Sequence, residues 1–221
     1  MENCSTSKRA DTSSRLTEHP AKRGYCFLSA VAMRRDPSDR AEMVNQLLQG
    51  DTFTIVEQLE KWALVKCDWD GYEGWIDNKQ WRPTMDEANL SAGCEESPAV
   101  VAECTYLGAP YLWGGRTIMG IDCSGLTQVC FRACGKRLLR DASQQATQGE
   151  IVPSLQHARR DDLCFFANDT GRIIHVGIYM GEGRIIHSSG QVRIDNLTDE
   201  GIINSDTQQL THRLHSIRRI G

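Results

Sequence analysis

The stretch PYLWGGRTIMGIDCSGL at residues 110–126 decides the predicted fold, because it joins a glycine-rich loop to the start of an apolar helix. Apolar side chains continue at helical spacing through CSGLTQVCFRACG, and Gly135 is a typical helix stop. Asp122 can cap this helix, which places Cys123 in its first turn. Amide N–H groups and the helix dipole favour negative charge there. The pattern therefore predicts a nucleophilic thiolate with a lowered pKa, with a structural cysteine as the alternative.

Two histidines supply the partners that a cysteine nucleophile needs. His175 lies in GRIIHVGIYMG and His187 in GRIIHSSG, and a glycine-rich turn joins the two apolar strands. Their separation of twelve residues is even, so both side chains share one sheet face. They lie directly opposite if the hairpin is symmetric about Gly181 and diagonally if it is symmetric about Glu182. The pattern predicts His175 as base and His187 as orienting group; packed core histidines or a metal pair are the alternatives.

The residues before this region read as a series of short strands. Runs of β-branched and aromatic residues extend from Tyr25 to about Trp81, and DWDGYEGW indicates a hairpin with its turn at Asp70-Gly71. Pro83 and Pro98 bracket a loop-rich stretch that indicates a domain junction. We expect a polar, poorly ordered leader at 1–24, a small barrel at 25–82, a linker at 83–97 and a second domain at 98–221.

The second domain combines helical and extended patterns. Two helical segments come first, and LCFFAN, RIIHVGIYMG, GRIIHSSG, QVRIDNL and THRLHSIRRI then read as successive strands. Helices followed by antiparallel strands describe an α+β layer fold. The basic run from His212 to Arg219 alternates with apolar residues, which predicts an exposed edge strand.

Composition limits the possible partners and locations. A net charge of -4 argues against nucleic acid, and no apolar stretch approaches the roughly 18 residues of a membrane span. The first 24 residues lack the apolar segment of a signal peptide. Nine cysteines occur without a CxxC motif, and unpaired thiols suit a reducing compartment. These features predict a cytoplasmic protein, or an exported one if a signal peptide precedes this sequence.

Four motifs together resemble a known family. PYLWGG, DCSGL, HVGIYMG and IIHSSG occur in the order and spacing of the NlpC family of cell-wall cysteine peptidases, and GYEGWI resembles the end of a bacterial SH3-like domain. The first resemblance covers roughly residues 98–221. It implies a circularly permuted papain-like domain preceded by an SH3-like β-barrel. It also implies Cys123 as nucleophile, His175 as base and His187 as third member, with no metal or cofactor.

The resemblance implies further residues around the cleft. Tyr111 would help the Cys123 backbone N–H to stabilise an oxyanion, and the neighbours Asp122 and Ser124 would meet the substrate. The remaining candidates are Asp141, Ala142 and Ser143, which would border a D-glutamate pocket, and Glu42 and Tyr72, which would bind a free N-terminal amine. Helix capping, packed aromatic rings and a surface carboxylate are the corresponding structural alternatives.

The implied substrate is a murein peptide, L-Ala-γ-D-Glu-diaminopimelate, cut between γ-D-Glu and the diamino acid. The barrel would restrict activity to free peptides in cell-wall recycling, with neither nucleic acid nor membrane as partner. One alternative is an exported hydrolase of intact wall that uses the barrel as a wall-binding module. Others are a non-catalytic peptide-binding protein and a thioester-dependent acyl transferase acting on lipid.

Overall fold

The computed structural model describes residues 22–84, 93 and 95–221. Most of the predicted leader and part of the predicted linker lie outside these residues. Every helix in the described part of the chain is too short or too polar to span a bilayer.

The N-terminal half forms one antiparallel sheet of seven strands with its own core. Along the chain these are β1 (Arg23–Tyr25), β2 (Ala30–Arg34), β3 (Met43–Leu48), β4 (Thr52–Gln58), β5 (Trp62–Cys67), β6 (Glu73–Asp77) and β7 (Arg82–Thr84). Their order in the sheet is β3-β2-β6-β5-β4-β1-β7. Alternating buried residues such as Val31 and Met33 fill the core, as expected for strands with one face inward. The sheet begins two residues before, and ends two residues after, the predicted barrel of residues 25–82.

The C-terminal half is an α+β unit. Its helices are α1 (Pro98–Val101), continued by a π-helical turn at Ala102–Tyr106, α2 (Cys123–Ala133) and α3 (Ala142–Gln145). Its strands are β8 (Arg116–Thr117), β9 (Gly120–Ile121), β10 (Glu150–Val152), β11 (Leu163–Ala167), β12 (Ile173–Gly181), β13 (Arg184–Ser189), β14 (Gln191–Leu197), β15 (Gly201–Ile203) and β16 (Leu210–Arg219). Helix α2 packs against β12 and β13, which positions a helix start over the middle of the sheet.

The main sheet of this half closes into a ring. Its order is β16-β11-β12-β13-β14-β15, β15 pairs again with β16, and β10 is attached to β16. The prediction that the basic C-terminal run is an exposed edge strand is therefore wrong. Strand β16 pairs with β11 on one side, and β15 and β10 share its other side. The sequence does not predict β10 and β15, because a strand of three residues has too little periodic pattern to be recognised.

The histidine hairpin has the diagonal register of the two considered. Gly177 lies opposite His187, so His175 is its diagonal neighbour on the same face. A Cβ atom at Gly177 would lie 2.8 Å from Ile185 Cδ1 and 3.0 Å from His187 Cβ. The absence of a side chain at Gly177 therefore leaves the space in which the His187 side chain packs against β12.

Buried ionic contacts fix the two halves against each other. Arg116, only 2% exposed, donates to the Asp51 carboxylate at 3.2 Å, and Arg132 donates to its other oxygen at 2.5 Å. Arg116 also donates to the backbone carbonyl of Gln46 at 2.8 Å. Because Asp51 lies in the turn between β3 and β4 and both arginines belong to the second half, these contacts join the two halves.

Candidate active site

Cys123 is the first residue of α2 and lies below the surface, with 7% of its area exposed. Asp122 caps the helix as predicted, because its Oδ1 accepts the Gly125 N–H at 2.6 Å. The backbone amides of Ser124 and Val176 face the Cys123 sulfur. Val176 follows His175 on β12, so these contacts bring the thiol to the strand that carries the predicted base.

Asp122 has a structural role that the sequence analysis did not foresee. Arg140, 1% exposed, donates Nη2 to Asp122 Oδ2 at 2.6 Å and Nη1 to Oδ1 at 3.0 Å. The Gly114 N–H donates to Oδ2 at 2.8 Å. Arg140 Nη1 also donates to Ser124 Oγ at 2.9 Å. Hydrogen-bond donors thus occupy both oxygens of the Asp122 carboxylate. Through its bonds to Asp122 and Ser124, Arg140 holds the residues on both sides of Cys123.

The two predicted histidines form a hydrogen-bonded pair. His175 Nε2 lies 2.8 Å from His187 Nδ1, and the residues are 5% and 1% exposed. In the described part of the chain, His175 Nδ1 has no hydrogen-bond partner. Nδ1 is therefore the ring nitrogen of His175 that no hydrogen bond engages, while Nε2 is held by His187.

Asp195 extends the pair into a chain of three side chains. His187 Nε2 lies 3.0 Å from Asp195 Oδ2, and Asp195 is 1% exposed. Arg193 donates to both carboxylate oxygens, at 2.8 and 2.9 Å, and the Ser205 N–H donates to Oδ1 at 2.9 Å. Burial raises the pKa of Asp195, but the hydrogen bonds from His187, Arg193 and Ser205 outweigh it and hold the pKa below its usual range.

His212 is a further histidine that the sequence analysis did not place at the site. Its ring stacks on the ring of His175, with centroids 4.2 Å apart and planes inclined by 26°. Burial, followed by the neighbouring His187, lowers the pKa of His212 to about 4. His212 therefore covers one face of the predicted base with a neutral ring at neutral pH.

Burial also decides the protonation of the reacting pair. It raises the pKa of the Cys123 thiol to about 12, and the Asp122 charge adds to this effect. Burial lowers the pKa of His175, and the neighbouring His187 and His212 lower it further. The prediction of a lowered thiol pKa is therefore wrong for this structure, because loss of water outweighs the helix N-terminus. The resting pair is a neutral thiol and a neutral imidazole.

A cleft of about 340 Å³ opens over Cys123 between the two halves. Its lining includes most of the predicted residues, namely Glu42, Tyr72, Asp122, Cys123, Ser124, Asp141, Ala142 and Ser143. His175 and His187 lie beneath the surface instead. Tyr111 is 36% exposed and lies outside the lining, and burial is the main cause that raises its pKa to about 12.

The N-terminal sheet contributes one wall of this cleft. Glu42 Oε2 lies 2.7 Å from Arg35 Nη1, and Trp113 donates its indole N–H to Glu42 Oε1 at 2.6 Å. Burial raises the pKa of Tyr72 to about 12, and the charge of Asp141 contributes next. Tyr72 from the first half and Asp141 from the second both line the cleft. The motif PYLWGG contains Trp113, but the sequence alone does not predict its contact with Glu42.

The described residues contain no group of three or more His, Cys, Asp or Glu side chains arranged to hold a metal ion. The polar groups at Cys123 are instead a nucleophile, an imidazole chain and backbone amides. These groups can carry out acyl transfer through a covalent intermediate.

Two known families match the chain in successive segments. Residues 108–211 match the NlpC/P60 family, and residues 33–80 match the bacterial dipeptidyl-peptidase SH3 domain family. The γ-D-glutamyl-L-lysine dipeptidyl-peptidase of Bacillus subtilis is 47% identical over 85 residues, which cover 38% of this chain and 28% of that relative. The chain thus spans about a quarter of the length of the curated relatives that it matches first.

Two solved structures share the fold. An NlpC/P60 family protein from Bacillus cereus has a TM-score of 0.50 at 22% identity, with 90% of this chain and 63% of that chain covered. NlpC2 from Trichomonas vaginalis has a TM-score of 0.53 at 16% identity, with 91% of this chain and 99% of that chain covered. Both similarities extend over the two halves of the chain.

Proposed function

Because the chain carries an NlpC/P60 domain behind a bacterial SH3 domain, we propose that it is a cysteine endopeptidase that cuts the γ-D-glutamyl–diamino acid bond of murein stem peptides. One observation carries the proposal. Cys123 starts a helix against β12, where His175 presents a free Nδ1 while its Nε2 is held by His187.

The hydrogen-bonded chain determines which nitrogen acts as base. The ionised Asp195 carboxylate only accepts, so His187 Nε2 carries a proton and His187 Nδ1 accepts. His175 Nε2 must then donate to His187 Nδ1, which leaves the lone pair of His175 on Nδ1. Asp195 and His187 thereby set the tautomer that a general base at His175 requires.

The reaction follows from these positions. Cys123 attacks the γ-carbonyl of D-glutamate while its proton moves to His175 Nδ1. The Cys123 N–H and the Tyr111 hydroxyl would stabilise the oxyanion. His175 then protonates the leaving α-amine, and water hydrolyses the thioester with His175 again as base.

The cleft wall from the N-terminal sheet supports a preference for peptides with a free amino terminus. Glu42 lines the cleft and is held in place by Arg35 and Trp113, so its carboxylate is fixed before a substrate arrives. A substrate ammonium would pair with the Glu42 carboxylate and the Tyr72 hydroxyl. Blocked, glycan-linked peptides lack this ammonium charge, and they would clash with the side of the cleft that the N-terminal sheet forms.

We place this activity in the cytoplasm, on free peptides released from the wall. Unpaired thiols at Cys26, Cys67, Cys104 and Cys164 support a reducing compartment. Cell fractionation followed by immunoblotting tests the location; recovery of the protein outside the cytoplasm would contradict it.

Product analysis by mass spectrometry tests the activity. L-Ala-γ-D-Glu-diaminopimelate and its N-acetylated form are incubated with the protein, with Cys123→Ala and with Cys104→Ala as a matched cysteine control. We expect L-Ala-D-Glu from the free peptide only, full activity in Cys104→Ala and none in Cys123→Ala. Equal cleavage of the acetylated peptide would favour a hydrolase of intact wall. Absence of Cys123-dependent cleavage would favour a binding protein.

A further inference from the structure

The cleft contains one arginine whose charge is not neutralised. Arg35, Arg140 and Arg172 all line it. Arg35 pairs with Glu42 at 2.7 Å, and Arg140 pairs with Asp122 at 2.6 Å. Within residues 22–84, 93 and 95–221, by contrast, the Arg172 guanidinium makes no hydrogen bond or ion pair.

The backbone holds Arg172 at the rim of the cleft. Its N–H donates to Asn168 Oδ1 at 3.0 Å, and Gly171 before it adopts a φ of 79°, which glycine tolerates without strain. The side chain is exposed although the backbone is anchored. An exposed, anchored and unpaired guanidinium can bind a planar anion. The two oxygens of a carboxylate match the spacing of the N–H donors on the guanidinium.

The position of Arg172 indicates which part of a substrate it meets. Arg172, Ile173 and Ile174 immediately precede His175 and line the same cleft as Cys123. In the proposed reaction His175 hands its proton to the leaving amine, so the residue that leaves must lie beside this segment. Ile174 is 52% exposed, which offers an apolar surface for an aliphatic side chain.

We infer that Arg172 binds a carboxylate of the diamino acid residue that leaves, and so contributes to substrate specificity. This inference rests on the proposed function. Diaminopimelate at the peptide end carries an α-carboxylate and a second carboxylate at the far end of its side chain, whereas lysine carries the α-carboxylate alone. Both are aliphatic chains that fit over Ile174.

The experiment measures kcat/KM for four peptides that begin with L-Ala-γ-D-Glu. They end in diaminopimelate, diaminopimelate α-amide, lysine or lysine α-amide. The variants are Arg172→Gln, Arg172→Lys and Arg184→Gln, the last a matched loss of an exposed arginine outside the cleft. Melting temperatures of all three variants verify that each is folded.

We expect Arg172→Gln to lower kcat/KM about tenfold, mainly through KM, on peptides whose leaving residue bears the bound carboxylate. Lysine α-amide, which has no such carboxylate, should be cut equally by the protein and by Arg172→Gln. Loss on lysine and diaminopimelate but not on either amide identifies the α-carboxylate. Loss on both diaminopimelate peptides alone identifies the side-chain carboxylate. Arg172→Lys should retain part of the rate, and Arg184→Gln all of it.

Two results would overturn the inference while the proposed function stands. One is an unchanged kcat/KM of Arg172→Gln on all four peptides. The other is an equal loss on all four, lysine α-amide included, which would indicate a role in shaping the cleft. Failure of the unaltered protein to cut any of them would instead refute the proposed function, and the inference with it.

Discussion

Asp195 Oδ2 lies 3.0 Å from His187 Nε2, and this buried contact orients the whole imidazole chain beneath the cleft. The carboxylate only accepts, so it fixes the protonated nitrogen of His187 and, through it, that of His175. Asp195 is not among the residues that line the cleft, so we regard it as a positioning residue.

Replacing Asp195 with asparagine should lower kcat about 10²-fold, because an amide N–H can donate to His187 Nε2 and reverse both tautomers. KM should change little, since Asp195 is not on the cleft. Steady-state kinetics over pH 5 to 9 would also reveal an altered pH profile, which a purely structural defect would not produce. Asp206→Asn is the matched control, because Asp206 also pairs with Arg193, at 2.8 Å, but is 75% exposed. Equal effects of the two substitutions would contradict the positioning role.

Cys123 in the free protein should react slowly with iodoacetamide at pH 7. Its pKa of about 12 leaves little thiolate, and the rate of modification should rise about tenfold per pH unit from 7 to 10. Peptide mapping after timed exposure follows Cys123 separately from the other thiols. A fast rate that is constant between pH 6 and 8 would demonstrate a preformed thiolate and contradict the neutral resting pair.

Acid should destabilise the fold between about pH 6.5 and pH 4. The His212 pKa falls from 6.5 to about 4 on folding, and the His175 pKa is also lowered, so the unfolded chain binds more protons in this window. The free energy of unfolding must therefore rise with pH here, with a slope of up to about 1.4 kcal/mol per pH unit for each histidine. Urea denaturation at several pH values measures it. The slope should shrink in His212→Gln, and an identical slope in that variant would contradict the assignment.

Replacing Asp51 with asparagine should lower the free energy of unfolding by about 3–5 kcal/mol, because it leaves the buried Arg116 without its counter-charge. Asp39→Asn breaks an exposed contact with Lys61 and should cost far less stability, because solvent screens that pair. Denaturant titration compares the two variants. Similar costs would show that the ionic contact between the halves contributes little.

The features that the sequence reveals are those that neighbours along the chain determine. Asp122 and Cys123 follow from a local helix start, and His175 and His187 from one hairpin with an even spacing. Asp195 could have been found by the same rule, because it lies eight residues after His187 in the next hairpin and shares its face.

The remaining site residues depend on contacts between distant segments. His212 reaches His175 only because β16 pairs with β11. The pairing of these two strands contains a register shift that the sequence pattern does not predict. Arg140 reaches Asp122 through a loop with no regular period. The raised Cys123 pKa follows from burial, which depends on the packing of the whole domain.

Detection of a covalent intermediate on Cys123 tests the central claim most directly. The protein is mixed with L-Ala-γ-D-Glu-diaminopimelate, quenched in acid within the first turnover and analysed by intact-protein and peptide mass spectrometry. We predict an L-Ala-γ-D-Glu acyl group in thioester linkage to Cys123, which hydroxylamine removes. Cleavage of the peptide with no acyl group on Cys123, or with the acyl group on another residue, would contradict the account.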